Sequence, residues 1–292
     1  MMRICSFFSK TISVLVTVHT NFVCAVTYYV ILYITSVGYK ELDTMILNDR
    51  EKAEVYSEML SLQAEMHFPF ETHFYYRQEW LSAKNVLDFG CGNFDYARIL
   101  SKKFAGKCFY GVEIDPEMRK IANKNECDEM RLYSSIQEIP NDVKFDVILL
   151  RLVLLHVADR QSLYNELLNR LTPNGVVYIF DAYDDLMLFK PNPTRFLDAL
   201  AELRSESKNR SLLNCLEQEL AQIDLKKCYE DRIIVNNSFP HVNENIYQYM
   251  RKTAELGLGR ELDKDLDNEL TQWQIDKPYV QYGFFGQIYK IK

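Results

Sequence analysis

The apolar positions of this chain fall into two rhythms. Over residues 50–66, Val55, Met59, Leu60, Leu62 and Met66 recur at helical spacing among Glu and Lys. A second helical piece, carrying Phe74, Tyr75, Tyr76, Arg77 and Trp80, is predicted over 72–83. After Lys84 the rhythm shortens. Apolar runs at 85–89, 108–112, 131–133, 145–150 and 176–180 read as buried strands. Helical spacing fills the gaps: Tyr96, Ile99, Leu100 and Phe104 give one helix ended by Gly106, Pro116 opens another, and 161–171 gives a third. Strands alternating with helices predict right-handed βαβ units, hence an α/β fold with a mostly parallel sheet. Near-continuous apolar strands predict that both faces of the sheet are covered. Beyond Asp185 the pattern is helical at 194–206, 211–223, 240–256 and 262–273. A strand at 229–235 interrupts it, and a strand or hairpin at 279–291 closes the chain.

The start of the chain follows neither rhythm. Residues 11–39 hold no Asp, Glu, Lys or Arg, and a bilayer crossing needs about 20 such residues. Read as an anchor, the segment has Arg3 and Lys10 on the side that stays cytoplasmic. His19, Thr20 and Asn21 interrupt it, however, and Met45-Ile-Leu-Asn-Asp-Arg-Glu-Lys opens the first amphipathic stretch. The same text therefore also reads as an extension upstream of a start at Met45, or as a signal peptide or buried strand. The expected location is cytoplasmic, with membrane association through residues 11–39 under the anchor reading.

Composition narrows the class. Of 292 residues, 48% are hydrophobic and 26% charged, which excludes a disordered or low-complexity chain. A net charge of −7 argues against nucleic acid as a partner. The seven cysteines (5, 24, 91, 108, 127, 215 and 228) contain no C-x-x-C pair, so neither a disulfide framework nor a metal site is expected.

In an open parallel sheet, ligands lie beyond the carboxyl ends of the strands. There Gly90-Cys91-Gly92 joins the first strand to its helix, where glycine allows a sharp turn and close approach to a ligand. The helix start would offer N–H groups to an anionic moiety. Glu113 ends the second strand, 23 residues after Gly90, where a carboxylate can accept both hydroxyls of a ribose. These parts describe a nucleoside-containing cofactor. A dinucleotide needs a small residue at position 95, and Asp95 would face a pyrophosphate badly. A sulfonium cofactor carries no phosphate and tolerates Asp88 and Asp95, so charge favours S-adenosylmethionine over NAD.

Four segments then resemble, in order, the motifs of class I S-adenosylmethionine-dependent methyltransferases: Val86-Leu-Asp-Phe-Gly-Cys-Gly-Asn93, Tyr110-Gly-Val-Glu-Ile-Asp-Pro-Glu-Met118, Phe145 to Val157, and Leu171-Thr-Pro-Asn-Gly-Val-Val-Tyr-Ile179. The resemblance covers about residues 75–185. It implies a Rossmann-like, doubly wound, mostly parallel seven-stranded sheet with an antiparallel last strand, plus a helical segment after strand five. It implies S-adenosyl-L-methionine as cofactor and a small-molecule or lipid-like methyl acceptor. Cofactor contacts are implied for Arg77, Asp88, Gly90, Cys91, Gly92, Glu113, Ile114, Ser135, Ile136, Leu150 and Arg151. Arg151 also has the options of gripping an acidic substrate or pairing with Asp181 or Asp184. Candidates for proton transfer are His156, Asp181 and Tyr183. One position departs from the pattern: the third glycine of the first motif would fall at 94, where this chain has Phe94. Its side chain must point away from the methionine moiety or reshape its pocket.

The expected organisation is an apolar segment (1–44), N-terminal helices (45–84), a cofactor-binding core (85–185), and a helical lid with the terminal strands (186–292). Two other functions stay open on the sequence. One is another nucleoside-cofactor enzyme, an aminopropyl transferase or an NAD enzyme. The other is a degenerate domain that acts as a binding module, for which Phe94 is the best support.

Overall fold

The computed structural model describes residues 46–125, 127–205 and 212–292. The segment 11–39, with its anchor, extension and signal readings, and the start at Met45 lie outside the described residues. Among the described residues no helix is long and apolar enough to cross a membrane.

Helix α1 (Asp49–Tyr75) begins with a reciprocal capping box: Asn48 Oδ1 accepts from Glu51 N, and Glu51 Oε2 accepts from Asn48 N. The sequence reading gave separate helical pieces at 50–66 and 72–83; Pro69 lies between them, and a proline inside a helix removes one N–H bond and costs about 3 kcal/mol. The structure carries α1 straight through. Pro69 and Glu65, the residue whose carbonyl loses its donor, both face solvent. His67, Glu71, Phe74 and Tyr75 are buried along the opposite side and hold the helix across the gap. The break falls instead at Tyr76–Arg77, before the short α2 (Gln78–Leu81).

The sheet contains β1 (Asn85–Phe89), β2 (Cys108–Val112), β3 (Met130–Tyr133), β4 (Phe145–Arg151), β5 (Leu171–Ala182), β6 (Leu188–Lys190), β7 (Leu225–Asn236) and β8 (Tyr279–Ile291). Its order is β3-β2-β1-β4-β5-β8, with β7 on the far side of β8. β1 to β5 pair in parallel, and β8 runs antiparallel to β5 and β7. The expected seven strands are all present. The short β6, which extends the β5 side of β8, makes eight. β8 is one strand, not a hairpin, and β5 begins earlier than expected because Thr172–Gly175 bulge between the Phe145↔Leu171 and Val147↔Val176 pairs. The intervening helices are α3 (Asp95–Lys103), α4 (Pro116–Ala122) and α5 (Arg160–Leu168). They are followed by α6 (Thr194–Ser205), α7 (Leu212–Ala221), α8 (Pro240–Leu258) and α9 (Lys264–Asp276).

Strand residues alternate between two cores. Val86, Phe109, Val147, Leu149, Tyr178, Phe180, Tyr282 and Phe284 join α1, α3, α6, α8 and α9 on one face. Leu87, Tyr110, Ile148, Leu150, Ile179 and Phe285 join α5 and α7 on the other. This parity sets the site: Asp88 and Arg151 continue the α1 face of β1 and β4, whereas Asp181 continues the opposite face of β5.

Candidate active site

After β1 the backbone turns through Gly90 (φ 74°) and Gly92 (φ 55°), a region in which a Cβ is strained. Gly90 N and Cys91 N both donate to Val112 O at the end of β2, at 2.8 and 3.1 Å. Gly92 N donates to Glu113 Oε2 at 3.0 Å, and Asp115 N to Glu113 Oε1 at 2.9 Å. The glycine loop and the acid after β2 are thereby fastened together. Each carboxylate oxygen still has a lone pair to offer. Burial raises the Glu113 carboxyl against the pull of these N–H donors. Cys91 is buried beside them, and burial pushes its thiol well up.

Phe94 takes the left-handed conformation that a glycine would take (φ 65°). Its ring is fully buried in the α1-side core, and a Cβ built on Gly111 would lie 2.8 Å from its Cε2 and Cζ. Phe94 thus turns into the space left by Gly111 of β2 and not into the loop. At the start of α3, Asn93 Oδ1 accepts from Asp95 N at 3.1 Å, and Asp95 itself accepts from Ser61 Oγ (2.5 Å) and Arg98 Nε (3.0 Å).

Helix α1 lies over this loop. Asn93 Nδ2 donates to Ser57 O and Ser61 Oγ, each at 2.9 Å, and Leu60 occupies the place that a Cβ on Gly92 would need, 2.5 Å from Cδ1. Tyr56, Leu60, Gln63, His67 and Glu71 follow at steps of three and four, so they share one face. Tyr56, 36% exposed, stands near Glu113 and Tyr249. Partial burial first, then those two groups, push its phenol up to about 12.

The lower end of this stripe is a buried ionic cluster. Arg151, at the end of β4, meets Glu71 through Nε–Oε2 (3.2 Å) and Nη2–Oε1 (3.3 Å). Arg151 Nη2 lies 3.2 Å from His67 Nδ1, and its guanidinium stacks 4.1 Å over the Tyr96 ring. Tyr96 Oη donates to Glu71 Oε2, and Tyr75 and Tyr96 share a 2.9 Å hydroxyl contact. Burial alone would raise Glu71, but Arg151 and His67 hold it down to about 2. Burial keeps His67 below its usual range. Asp88, 3% exposed, makes no side-chain hydrogen bond among the described residues. Burial pushes it up to about 7 against the field of Arg151.

The sequence candidates divide accordingly. Asp88, Gly90, Cys91, Gly92, Glu113 and Arg151 come together, and Leu150 is buried next to Arg151. Ile114, beside Glu113, is 84% exposed. Ser135 begins a short turn after β3, and the Ile136 side chain is spent in the α5-side core. Three expectations are corrected. Arg77 lies over the Tyr229 ring (4.3 Å) beside Glu79, which pairs with Lys290. Lys290 faces Val176, at the amino end of the parallel β5 segment, so Arg77 is at the wrong end of the sheet for a cofactor carboxylate. Arg151 pairs with Glu71, not with Asp181 or Asp184, and its charge is neutralised before any acidic substrate arrives. Asp181 and Tyr183 belong to the face away from α1, with Tyr183 under Arg232. His156 is exposed in the short turn after β4. The sequence reading missed Leu60, Gln63, His67, Glu71 and Tyr96. Its available signal was polar Gln63, His67 and Glu71 on the helix face that Phe74 and Met59 mark as buried.

The residues fit S-adenosylmethionine on three observations: an acid tied to the glycine loop, an exposed apolar Ile114 next to it for a base, and the buried, hydrogen-bond-poor carboxylate of Asp88 for an ammonium. Fold and site resemble those of a class I S-adenosylmethionine-dependent methyltransferase domain, and residues 87–179 match the family model described as methyltransferase domain. Over 105 residues the chain is 29% identical to the ubiquinone biosynthesis O-methyltransferase of Rickettsia typhi, a match spanning 34% of this chain and 41% of that relative. Among solved structures it is similar to the YcgJ protein of Bacillus subtilis (15% identity, TM-score 0.46, covering 81% of this chain and 99% of that one). It is also similar to the plantazolicin methyltransferase BpumL in complex with a triazolic desmethylPZN analog and SAH (18% identity, TM-score 0.43, covering 84% and 89%).

Proposed function

We propose that this protein transfers a methyl group from S-adenosylmethionine to a small-molecule acceptor. The observation that carries the reading is the Gly92–Glu113 hydrogen bond, which fixes a glycine turn and an acid at adjacent parallel strand ends. When bound, the cofactor supplies a methyl group on a sulfonium, which leaves as a neutral thioether. In this reading Glu113 accepts the ribose hydroxyls and Ile114 covers one face of the base. Ser135 stands at the edge of the base. Asp88 faces the methionine ammonium, while Gly90, Cys91 and Gly92 let the backbone approach. Leu150 and Arg151 close the floor at the end of β4. α1 covers the loop and keeps water from the transfer line. Since the leaving group is already good, positioning and water exclusion are the main demands on the protein. Phe94, which favoured a non-binding module, no longer does so, because its ring lies under β2.

The test is calorimetric titration of S-adenosylmethionine and S-adenosylhomocysteine into the full chain. Micromolar binding is expected. Glu113→Ala should weaken it by about 1–3 kcal/mol, through loss of a charged acceptor. Absence of binding to the folded wild-type protein would refute the reading.

A further inference from the structure

Next to the ionic cluster, between α1, α8 and β8, the α1-side core contains polar atoms that the fold does not satisfy. Gln63 is 5% exposed. Its Nε2 donates to Tyr249 Oη at 3.2 Å, but its Oε1 is buried without a hydrogen-bond partner. The Tyr282 hydroxyl is also buried without a partner. The rings of Tyr249 and Tyr282 meet edge to face at 5.4 Å, and Phe189 stands 5.7 Å from Tyr282. An orphaned buried polar group costs about 1–3 kcal/mol, so two of them, both linked through Tyr249, point to a ligand that completes them.

The cluster is continuous with the proposed methyl-transfer site. Gln63 is on the α1 face that carries Leu60 over Gly92 and His67 against Arg151. Tyr282 and Phe284 share the Asp88 face of the sheet, and Phe284 packs on His67 with ring centroids 4.0 Å apart. The cations nearby are already matched, Arg151 by Glu71 and Arg204 by Asp184. Among the described residues, neither guanidinium is left over to balance an anionic ligand.

We infer that Gln63, Tyr249 and Tyr282 bind the methyl acceptor, and that the acceptor is a neutral, flat molecule with one hydrogen-bond donor for Gln63 Oε1 and one acceptor for the Tyr282 hydroxyl. The inference rests on the methyltransferase reading and names the substrate class of that site. The experiment uses the full chain loaded with S-adenosylhomocysteine. Saturation-transfer NMR measures binding of three probe sets: neutral hydroxyaryl ketones, matched aryl carboxylates and benzylic ammonium compounds. Wild-type protein should bind the ketones in preference to both charged sets. Gln63→Leu and Tyr282→Phe should each weaken ketone binding by about 3–10-fold, the loss of one hydrogen bond. Their S-adenosylhomocysteine affinity should stay within about threefold of wild type. Tyr282→Phe should also melt no lower than wild type, because it deletes a hydroxyl that has no partner in the free protein. Preference for a charged set, equal ketone binding by the variants, or no ketone binding by protein that does bind S-adenosylhomocysteine would overturn the acceptor assignment. Failure of the wild-type chain to bind S-adenosylhomocysteine would instead overturn the methyltransferase reading beneath it.

Discussion

Phe94 and Gly111 should be energetically coupled, and the coupling can be worked from their geometry. A phenylalanine at φ 65° pays about 1–2 kcal/mol of left-handed strain. It is kept by a fully buried ring, whose truncation costs about 3–5 kcal/mol. Phe94→Gly should therefore destabilise by about 1–4 kcal/mol, since the backbone relaxes while the ring is lost. Gly111→Ala places a methyl 2.8 Å from the Phe94 ring and 2.8 Å from Cys91 Sγ, an overpacking worth about 1–3 kcal/mol. With Phe94 gone, the added methyl meets space on the ring side, and the double variant should be more stable than the sum of the single losses predicts by about 1–2 kcal/mol. Urea unfolding of the four proteins gives the cycle, with unchanged slopes as the check on two-state behaviour. S-adenosylhomocysteine affinity of Phe94→Gly should match wild type, because the ring lies in the core and not in the loop. Additive losses would mean that the ring does not occupy the space above Gly111. A large loss of affinity would mean that it supports the cofactor directly.

Three further outcomes follow from the charged groups. Burial puts Asp88 at about 7, so its folded carboxylate costs stability as pH rises from 3.8 through about 7. An ammonium bound beside it selects the charged form, so S-adenosylhomocysteine affinity should rise from pH about 6 to about 8, and Asp88→Asn should flatten that rise. Glu71 is held at about 2, so the Arg151 pair contributes fully above the ordinary value of 4.5 and fades as pH falls towards 2. Glu71→Gln should cost about 3–5 kcal/mol at neutral pH by leaving Arg151 buried and unbalanced, and the gap to wild type should narrow in acid denaturation. Arg77→Ala should leave S-adenosylhomocysteine affinity unchanged by calorimetry, and a tenfold loss would return Arg77 to the cofactor.

The sheet was legible because its strands are apolar runs bounded by glycine and proline, and because Gly90, Gly92 and Glu113 stand where parallel topology requires a ligand loop. The long α1 was not legible as one helix. Pro69 is a true helix breaker by local rules, and only the tertiary burial of His67, Glu71 and Phe74 overrides it. The partner of Arg151 was hidden for the same reason: Glu71 lies 80 residues away, on the segment whose course had been misread. Arg77 shows the converse error. The resemblance implied a cofactor contact there, but the turn at Tyr76 sends it to the other end of the strands. For Phe94 the sequence left two options, pointing away from the methionine moiety or reshaping its pocket, and its packing against Gly111 on a different strand carries no sequence signal of its own.

α1 joins the two halves of the proposed site, and this has a consequence for specificity. Its serines fasten it to Asn93 and Asp95, so its position depends on the cofactor loop. Its buried polar stripe faces Tyr249 and Arg151, so the acceptor region depends on its position. Cofactor recognition is confined to strand ends and short turns, which parallel topology fixes with few residues. Acceptor recognition draws on α1, α8 and β8, elements brought together only by packing. A substitution in the loop that shifts α1 by a fraction of a turn would therefore move Gln63 and His67 together. It would change which acceptor is held before it changed whether the cofactor is held.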